Sequence, residues 1–338
     1  MDAHVISLAN QKGGTAKTTT CANLGIGLAQ AGRKVLLVDA DAQGSLTLSL
    51  GWEPDKLPIT LYDLMIKAIQ DRPVTHGEGM LHHEEGVDLL PANIELAGME
   101  MSLVSVMYHE TILKQVIEPY KHEYDYILID CAPSLGMMTI NALAATDGIV
   151  VPTIPQHLPT KGIEKLLESV HQVRRGINPS LKIEGILMTL MDGRTVYERE
   201  ISEMIRNAYG GKINIFGTEI PRSVRAAETS AEGKSIFAYA PRSKVAEAYR
   251  QLTKEVLALS LIHILSILAG VTTAMRAGES GGAMRGACVG LLYMALGIVC
   301  YALMMGQSPR LTAYLADLGM GLAAGGLFGM ILTARKTG

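Results

Sequence analysis

The sequence has few aromatic residues and few cysteines. The spacing of the cysteines predicts neither a metal cluster nor a disulfide framework. Among 338 residues there are one Trp, three Phe and four cysteines, Cys21, Cys131, Cys288 and Cys300. No Cys-x-x-Cys pair and no His/Cys metal spacing occurs, so we expect reduced cysteines that mostly serve in packing. The first residues also lack a basic region and a cleavage site of a secretory signal, which predicts a cytoplasmic domain.

The chain also has no excess of positive charge. The formal net charge is −3, with 30 Lys and Arg against 33 Asp and Glu. Residues 256–338 hold five of the basic and two of the acidic residues, which leaves 25 against 31 in residues 1–255. Any contact of this part with nucleic acid must therefore come from a local basic patch.

Short apolar runs rich in β-branched residues recur along the chain with helical stretches between them. This alternation predicts an α/β fold, a mostly parallel twisted sheet with helices on both faces. A first helix is expected over residues 15–31, with Gly32 as its natural end. The predicted strands are Val5–Ala9, Lys34–Ala40, Val87–Pro91, Tyr126–Cys131, Ile149–Ile154, Ile183–Leu190 and Ile213–Ile220.

The composition changes after Glu255, where three segments without Asp, Glu, Lys or Arg follow one another. They are Val256–Met275, Gly286–Pro309 and Leu318–Ala334, with 20, 24 and 17 residues. Because a spanning helix needs about 20 apolar residues, we predict two or three hydrophobic transmembrane helices. A buried helical hairpin or a Gly/Ala-rich surface tail is the alternative. The sequence thus predicts two domains, residues 1–257 and residues 258–338.

A glycine-rich segment, N-Q-K-G-G-T-A-K-T-T at residues 10–19, connects the first strand to the first helix. Glycine lets the backbone turn so that successive N–H groups face phosphate oxygens, and the helix start adds its positive dipole end. A lysine and a threonine at Lys17 and Thr18 would then neutralise phosphates and bind Mg²⁺. A glycine turn without a ligand is the alternative. The predicted nucleotide-binding residues here are Gly13, Gly14, Thr15, Ala16, Lys17, Thr18 and Thr19.

The pattern K-G-G-x-x-K-T-T resembles the deviant Walker A motif of the ParA/MinD family of P-loop ATPases. This resemblance implies ATP and Mg²⁺ as cofactors and an ATP-sandwich homodimer. Lys12 would be the signature lysine that reaches the partner's phosphates, and Lys17 would be the ordinary Walker lysine. Ala16 replaces a glycine that is usual in the family, which predicts a tighter loop and slower nucleotide exchange.

Acidic residues follow two of the predicted strands. Asp39 and Asp41 leave the second strand on the same side, although such a pair also fits a helix cap or a solvated turn. The segment resembles the family's D-x-D-P-Q-G motif, with Ala42 in place of proline. By that resemblance Asp41 positions the attacking water, and Asp39 supports the metal site.

Asp130 ends the fourth apolar run, which is the Walker B arrangement of a carboxylate that orients Mg²⁺. The next residues, C-A-P-S-L-G at 131–136, resemble the family's D-x-P-P-S-L-G switch segment, with Ala132 in place of one proline. Cys131 raises a rival, the iron–sulfur ATPases of the nitrogenase iron-protein type. Their bridging cluster needs two cysteines per subunit, and Cys21 is the other cysteine of this part. We therefore interpret Cys131 as a packing residue.

The segment from Ile220 to Glu228 resembles the family's I-P-R-x-x-x-x-x-E segment, which lies by the adenine and contributes to a DNA surface. Pro221 is accordingly predicted at the nucleotide, and Arg222 and Arg225 are predicted to contact DNA phosphates. Arg194, in the segment M-D-G-R-T at residues 191–195, is a third candidate for such a contact. Such contacts give affinity without sequence specificity and weaken with salt. Solvated surface arginines are the alternative.

The resemblance covers residues 1–257 and implies a partitioning cycle. ATP closes the dimer, the dimer holds nonspecific DNA in the nucleoid, and a ParB-type centromere-binding partner stimulates hydrolysis. Without an amino-terminal helix-turn-helix segment, the chain is similar to the short, Soj-like subgroup of the family.

Two other functions compete with partitioning. One is a MinD-like positioning ATPase at the membrane, and the other is a metabolic enzyme similar to dethiobiotin synthetase. A tail over residues 256–334 would give inner-membrane association if it is a genuine fusion. The abrupt boundary favours an artificial junction of two reading frames instead.

Overall fold

The strands form where consecutive side chains are apolar and can be buried on both faces of a parallel sheet. Our computed structural model describes residues 2–104, 106–155, 159–192 and 196–276. All seven predicted strands are present within one or two residues of the expected bounds. The strands are β1 His4–Leu8, β2 Val35–Ala40, β3 Leu81–His82, β4 Val87–Leu90, β5 Tyr126–Cys131, β6 Gly148–Thr153, β7 Lys182–Met191 and β8 Ile215–Pro221.

Helices connect these strands and cover the sheet, as the alternating pattern predicts. Their bounds are α1 Lys17–Gln30, α2 Ser45–Ser49, α3 Leu61–Ile69, α4 Met99–Leu103, α5 Ile112–Ile117, α6 Met137–Ala145, α7 Pro159–Gly176, α8 Val196–Tyr209, α9 Val224–Glu232, α10 Ile236–Tyr239 and α11 Lys244–Arg276. Short 3₁₀ turns lie at Pro54–Lys56, Ile94–Gly98, His109–Thr111 and Glu118–His122.

The sheet has the order β3-β4-β2-β5-β1-β6-β7-β8. Every neighbouring pair is parallel except β3 with β4, so the predicted fold class is confirmed. The sequence analysis missed β3, because a two-residue edge strand carries no periodic signal. In this order the carboxyl ends of β1, β2 and β5 lie side by side, and Asp39 is in register with Asp130.

Helix α1 lies close to the sheet because it carries Gly25 on the side that faces β2. A Cβ added at Gly25 would lie 2.6 Å from Leu37 Cδ2. The helix ends as predicted, with Gly32 in a left-handed conformation at φ +80°. Its start, at the opposite end, is thereby fixed beside the carboxyl ends of β1 and β5.

The chain divides into two compact units, Met1–Thr253 and Lys254–Gly338. Helix α11 contains the first charge-poor segment, Val256–Met275, and ends at Arg276. Within the part of the chain that the structure describes, we find no helix long and apolar enough to cross a membrane. The predicted spans at 286–309 and 318–334 lie outside the described residues.

Candidate nucleotide-binding site

The loop between β1 and α1 turns through two left-handed residues. Gly14 has φ +70°, and Ala16, the N-cap of α1, has φ 60° and ψ 34°. Glycine adopts this conformation freely, whereas alanine does so at a cost of about 1–2 kcal/mol. The substitution noted at Ala16 thus falls on a position whose backbone favours glycine.

Hydrogen bonds to the neighbouring strands β6 and β7 hold this loop in place. The buried Asn10 amide donates to the carbonyl of Pro152 at 2.7 Å, and its oxygen accepts from the Lys12 N–H at 3.0 Å. The hydroxyl of Thr189 on β7 donates to the carbonyl of Thr15 at 3.0 Å. Neither anchor is predictable from the sequence, because an Asn inside a loop and a Thr inside a strand carry no distinguishing pattern until the strand order is known.

Asp130 lies at the end of β5, directly beside the loop. Its Oδ2 accepts a 2.6 Å hydrogen bond from the Thr18 hydroxyl. Its Oδ1 is buried and has no hydrogen-bond partner among the residues that the structure describes. Burial, and then the neighbouring Asp39, raise the pKa of Asp130 well above its usual value. A buried carboxylate oxygen next to a threonine hydroxyl is a suitable ligand pair for a hard divalent cation.

Asp39 lies opposite Asp130 but makes different contacts. One of its oxygens accepts from both the backbone N–H and the hydroxyl of Thr47, each at 2.8 Å, and the other accepts from the Asp41 N–H at 3.2 Å. Burial raises its pKa to about 6. Asp39 therefore fixes α2 and the backbone of Asp41, and Thr47 is a further contact that the sequence analysis did not find.

Asp41 is more accessible than Asp39. Its Oδ1 accepts from the Gln43 N–H at 3.0 Å, and its side chain lies at the rim of the sheet edge. The structure therefore places Asp39, Asp41 and Asp130 beside the loop between β1 and α1.

The two lysines of the loop differ in burial. Lys17 is buried, with its Nζ 3.4 Å from the carbonyl of Lys12, and Lys12 is partly exposed. Burial lowers the pKa of Lys17, and the neighbouring carboxylate of Asp130 partly offsets this effect. A bound phosphate would add negative charge beside Lys17 and favour its charged form.

The cysteines near the site are packing residues, as the sequence analysis concluded. Cys21 and Cys131 are both free and fully buried. Burial raises the pKa of Cys131 to about 12 and that of Cys21 well above its usual value, so both thiols are neutral at pH 7.

The segment predicted near the adenine lies farther along the same edge. Pro221 ends β8, and the Arg222 N–H donates to the carbonyl of Met191 at 2.9 Å, which ties the ends of β7 and β8 together. The side chains of Arg222 and Arg225 are exposed. Arg194 lies outside the described residues.

The fold and the loop together define the class of protein. A strand, a glycine-rich loop with Lys17 and Thr18, and an acid at the end of a neighbouring strand form the phosphate site of P-loop nucleotide-binding proteins. A family model described as an AAA domain matches residues 3–183.

Curated relatives narrow this class. The chain is 41% identical over 254 residues to the sporulation initiation inhibitor protein Soj of Bacillus subtilis, covering 75% of this chain and 98% of that protein. It is 42% identical over 253 residues to the chromosome-partitioning ATPase Soj of Thermus thermophilus, covering 75% and 95%. The chain belongs to the ParA/Soj family of chromosome-partitioning ATPases.

A solved structure supports the same fold. The cobyrinic acid a,c-diamide synthase of Mycobacterium smegmatis, with bound ADP and magnesium, is 37% identical and has a TM-score of 0.66. The match covers 75% of this chain and 94% of that chain. The two relatives and this structure each leave about a quarter of the present chain uncovered.

Proposed function

We propose that this chain binds and hydrolyses ATP with Mg²⁺ and uses the cycle for chromosome or plasmid partitioning. The observation that carries the nucleotide site is the pair of Thr18 and Asp130 beside Lys17. The buried Oδ1 of Asp130 has no hydrogen-bond partner among the described residues, and a divalent cation would provide one. Magnesium held there would withdraw charge from the phosphates.

Each residue of the site has a role in this proposal. The loop N–H groups from Gly13 to Thr19 bind phosphate oxygens, and the Lys17 ammonium neutralises them. The Asp41 carboxylate, at the accessible rim, orients the attacking water. Asp39 holds Asp41 in position through its contact with the Asp41 N–H.

The family relationship supports the rest of the cycle. We expect ATP to close a homodimer in which Lys12 of each chain reaches the partner's phosphates. We expect the dimer to bind nonspecific DNA through Arg222 and Arg225 and to be stimulated by a ParB-type protein. The exposure of these two arginines at the edge that carries the nucleotide site supports the proposed DNA contact.

Nucleotide binding is tested by titrating the full chain with ATP in the presence and absence of Mg²⁺. We expect Lys17→Ala to lose binding and Asp130→Asn to retain ATP binding but lose its Mg²⁺ dependence. Conversion of the same carboxyl group in Asp147→Asn, at the opposite end of the sheet, is the matched control. Unchanged Mg²⁺ dependence in Asp130→Asn would refute the assignment of the cation ligand.

DNA binding is tested with nonspecific duplex at two salt concentrations, with ATP and without it. The variant Arg222→Ala/Arg225→Ala should bind DNA at least tenfold more weakly and with a shallower salt dependence, because each phosphate contact releases counterions. The control Arg174→Ala/Arg175→Ala removes the same charge from the end of α7, where both side chains are exposed. An equal loss of DNA affinity in both variants would mean that net charge alone, and not the position of Arg222 and Arg225, causes the effect.

A third outcome separates the competing functions. An ATP-dependent dimer that binds no DNA at low salt would contradict partitioning. It would favour the MinD-like positioning ATPase, which membrane flotation of the full chain with and without ATP would then examine.

A further inference from the structure

Thr189 is a buried residue of β7 whose hydroxyl touches the phosphate loop. Its side chain is fully buried, and its hydroxyl lies 3.0 Å from the carbonyl oxygen of Thr15 and 3.2 Å from that of Thr153. The single hydroxyl proton is shared between these two carbonyl oxygens, so Thr189 joins three segments that are far apart in sequence. The contact with Thr15 is the one that reaches the loop.

The Thr15 carbonyl belongs to the peptide group that leads into Ala16. This group is planar, and no cis peptide bond occurs among the described residues. In a trans peptide the C=O and the N–H point in opposite directions. A hydroxyl that holds the Thr15 carbonyl towards β7 therefore turns the Ala16 N–H away from β7, towards the mouth of the loop.

The backbone at Ala16 needs such a restraint. Its φ of 60° is unfavourable for alanine, so the peptide before it gains by rotating out of this conformation. The loop itself is short, and Gly14, two residues earlier, allows that rotation because glycine is permissive. A buried hydrogen bond from a rigid strand opposes it.

We propose that Thr189 is a positioning residue for phosphate binding, which holds the Thr15–Ala16 peptide with its N–H directed at the bound phosphate. The proposal rests on the nucleotide binding proposed above. In this proposal β7 helps directly to form the phosphate loop, although this strand has no recognised motif residue. The hydroxyl acts through the loop backbone and has no contact of its own with the nucleotide.

The test compares Thr189→Val, which keeps the shape and removes the donor, with Thr189→Ser, which keeps the donor. We expect Thr189→Val to bind ATP roughly five- to tenfold more weakly, the effect of one lost net hydrogen bond, and Thr189→Ser to stay within about twofold of the wild type. Thr253→Val is the control, because it removes a buried hydroxyl that donates to the Tyr249 carbonyl. Its affinity should equal that of the wild type.

A double-mutant cycle with Ala16→Gly separates positioning from general stability. Glycine accepts the left-handed conformation without strain, so Thr189→Val should weaken ATP binding by only about twofold in that background. A purely structural role would lower the free energy of unfolding and leave the dissociation constant unchanged well below the melting temperature. Additive effects in the cycle, or normal affinity in Thr189→Val, would overturn the proposal.

Two further outcomes are distinguishable. If the wild type binds no ATP and equals Lys17→Ala, the proposed function fails, and the inference fails with it. If Thr189→Val does not fold, Thr189→Ala takes its place, and equal affinities of Thr189→Ala and Thr189→Ser would overturn the inference.

Discussion

Buried acidic side chains have different partners at the two edges of the parallel sheet. At the amino-terminal edge, Glu184 is 6% exposed and its Oε1 lies 3.2 Å from His4 Nε2. The other ring nitrogen of His4 lies 3.8 Å from Asp147, and Asp147 also accepts from the Val5 N–H at 2.9 Å. The buried Glu184 thus has a basic partner in His4, and so has Asp147, whose side chain is about half exposed.

At the carboxyl-terminal edge, two fully buried carboxylates face each other. Asp39 and Asp130 are in register on adjacent strands, and burial raises the pKa of each. Two non-glycine residues at this edge, Ala16 and Leu190, also have positive φ, at 60° and 53°. Unfavourable features of this kind collect where a site is preorganised for a ligand.

The largest expected effect is a pH dependence of stability that originates at Asp39. Its pKa rises from 3.8 to about 6 on folding, so the folded chain keeps a proton that the unfolded chain releases. The free energy of unfolding therefore falls as the pH rises through this window, by on the order of 3 kcal/mol. Urea unfolding without nucleotide or metal, at pH 4 to 7.5, should show that the free energy of unfolding declines less in Asp39→Asn than in the wild type.

The control for this prediction is Asp147→Asn, which makes the same change in net charge at the other edge. If the free energy of unfolding changes with pH at the same slope in Asp39→Asn and in the wild type, the proposed difference between the two edges is wrong.

A smaller effect is expected at Gly148, which makes room for the buried Glu184. A Cβ at this position would lie 2.2 Å from Glu184 Oε1 and 2.5 Å from its Cγ. Gly148→Ala should therefore lower the free energy of unfolding by about 2 kcal/mol, because the overpacked side chain must move. In the control Gly176→Ala the new Cβ meets nothing within 4 Å, and the change should stay within about 0.5 kcal/mol.

The smallest expected effect is a gain in stability at the phosphate loop. Ala16→Gly removes the strain of a left-handed alanine and adds backbone entropy to the unfolded chain, for a net stabilisation of about 0.5–1 kcal/mol. The same substitution in the helix interior, Ala22→Gly, should destabilise by about 1 kcal/mol. Chemical denaturation measures both, and a loss of stability in Ala16→Gly would show that residue 16 is not strained.

Much of the fold could be predicted from sequence, since its signals are local. A buried run such as Ile127–Ile129 specifies a strand, and Gly32 ends α1, because burial and backbone preference act within a few residues. The motif residues Lys17, Thr18 and Asp130 were found for the same reason, as residue types at a fixed spacing after a strand. Arg194 lies outside the described residues, and its contact with DNA stays a prediction.

The class of fold, the phosphate loop and the acids at the strand ends can be predicted from the amino-acid sequence, because each is encoded in a short segment. The distant groups that complete the site are known only once the strands are arranged in the fold. Thr189 reaches Thr15 across 174 positions, and Thr47 joins Asp39 to the end of β4 by accepting from the Ala92 N–H at 3.1 Å. These contacts exist because the strand order brings the segments together, and no local pattern records which strands are neighbours.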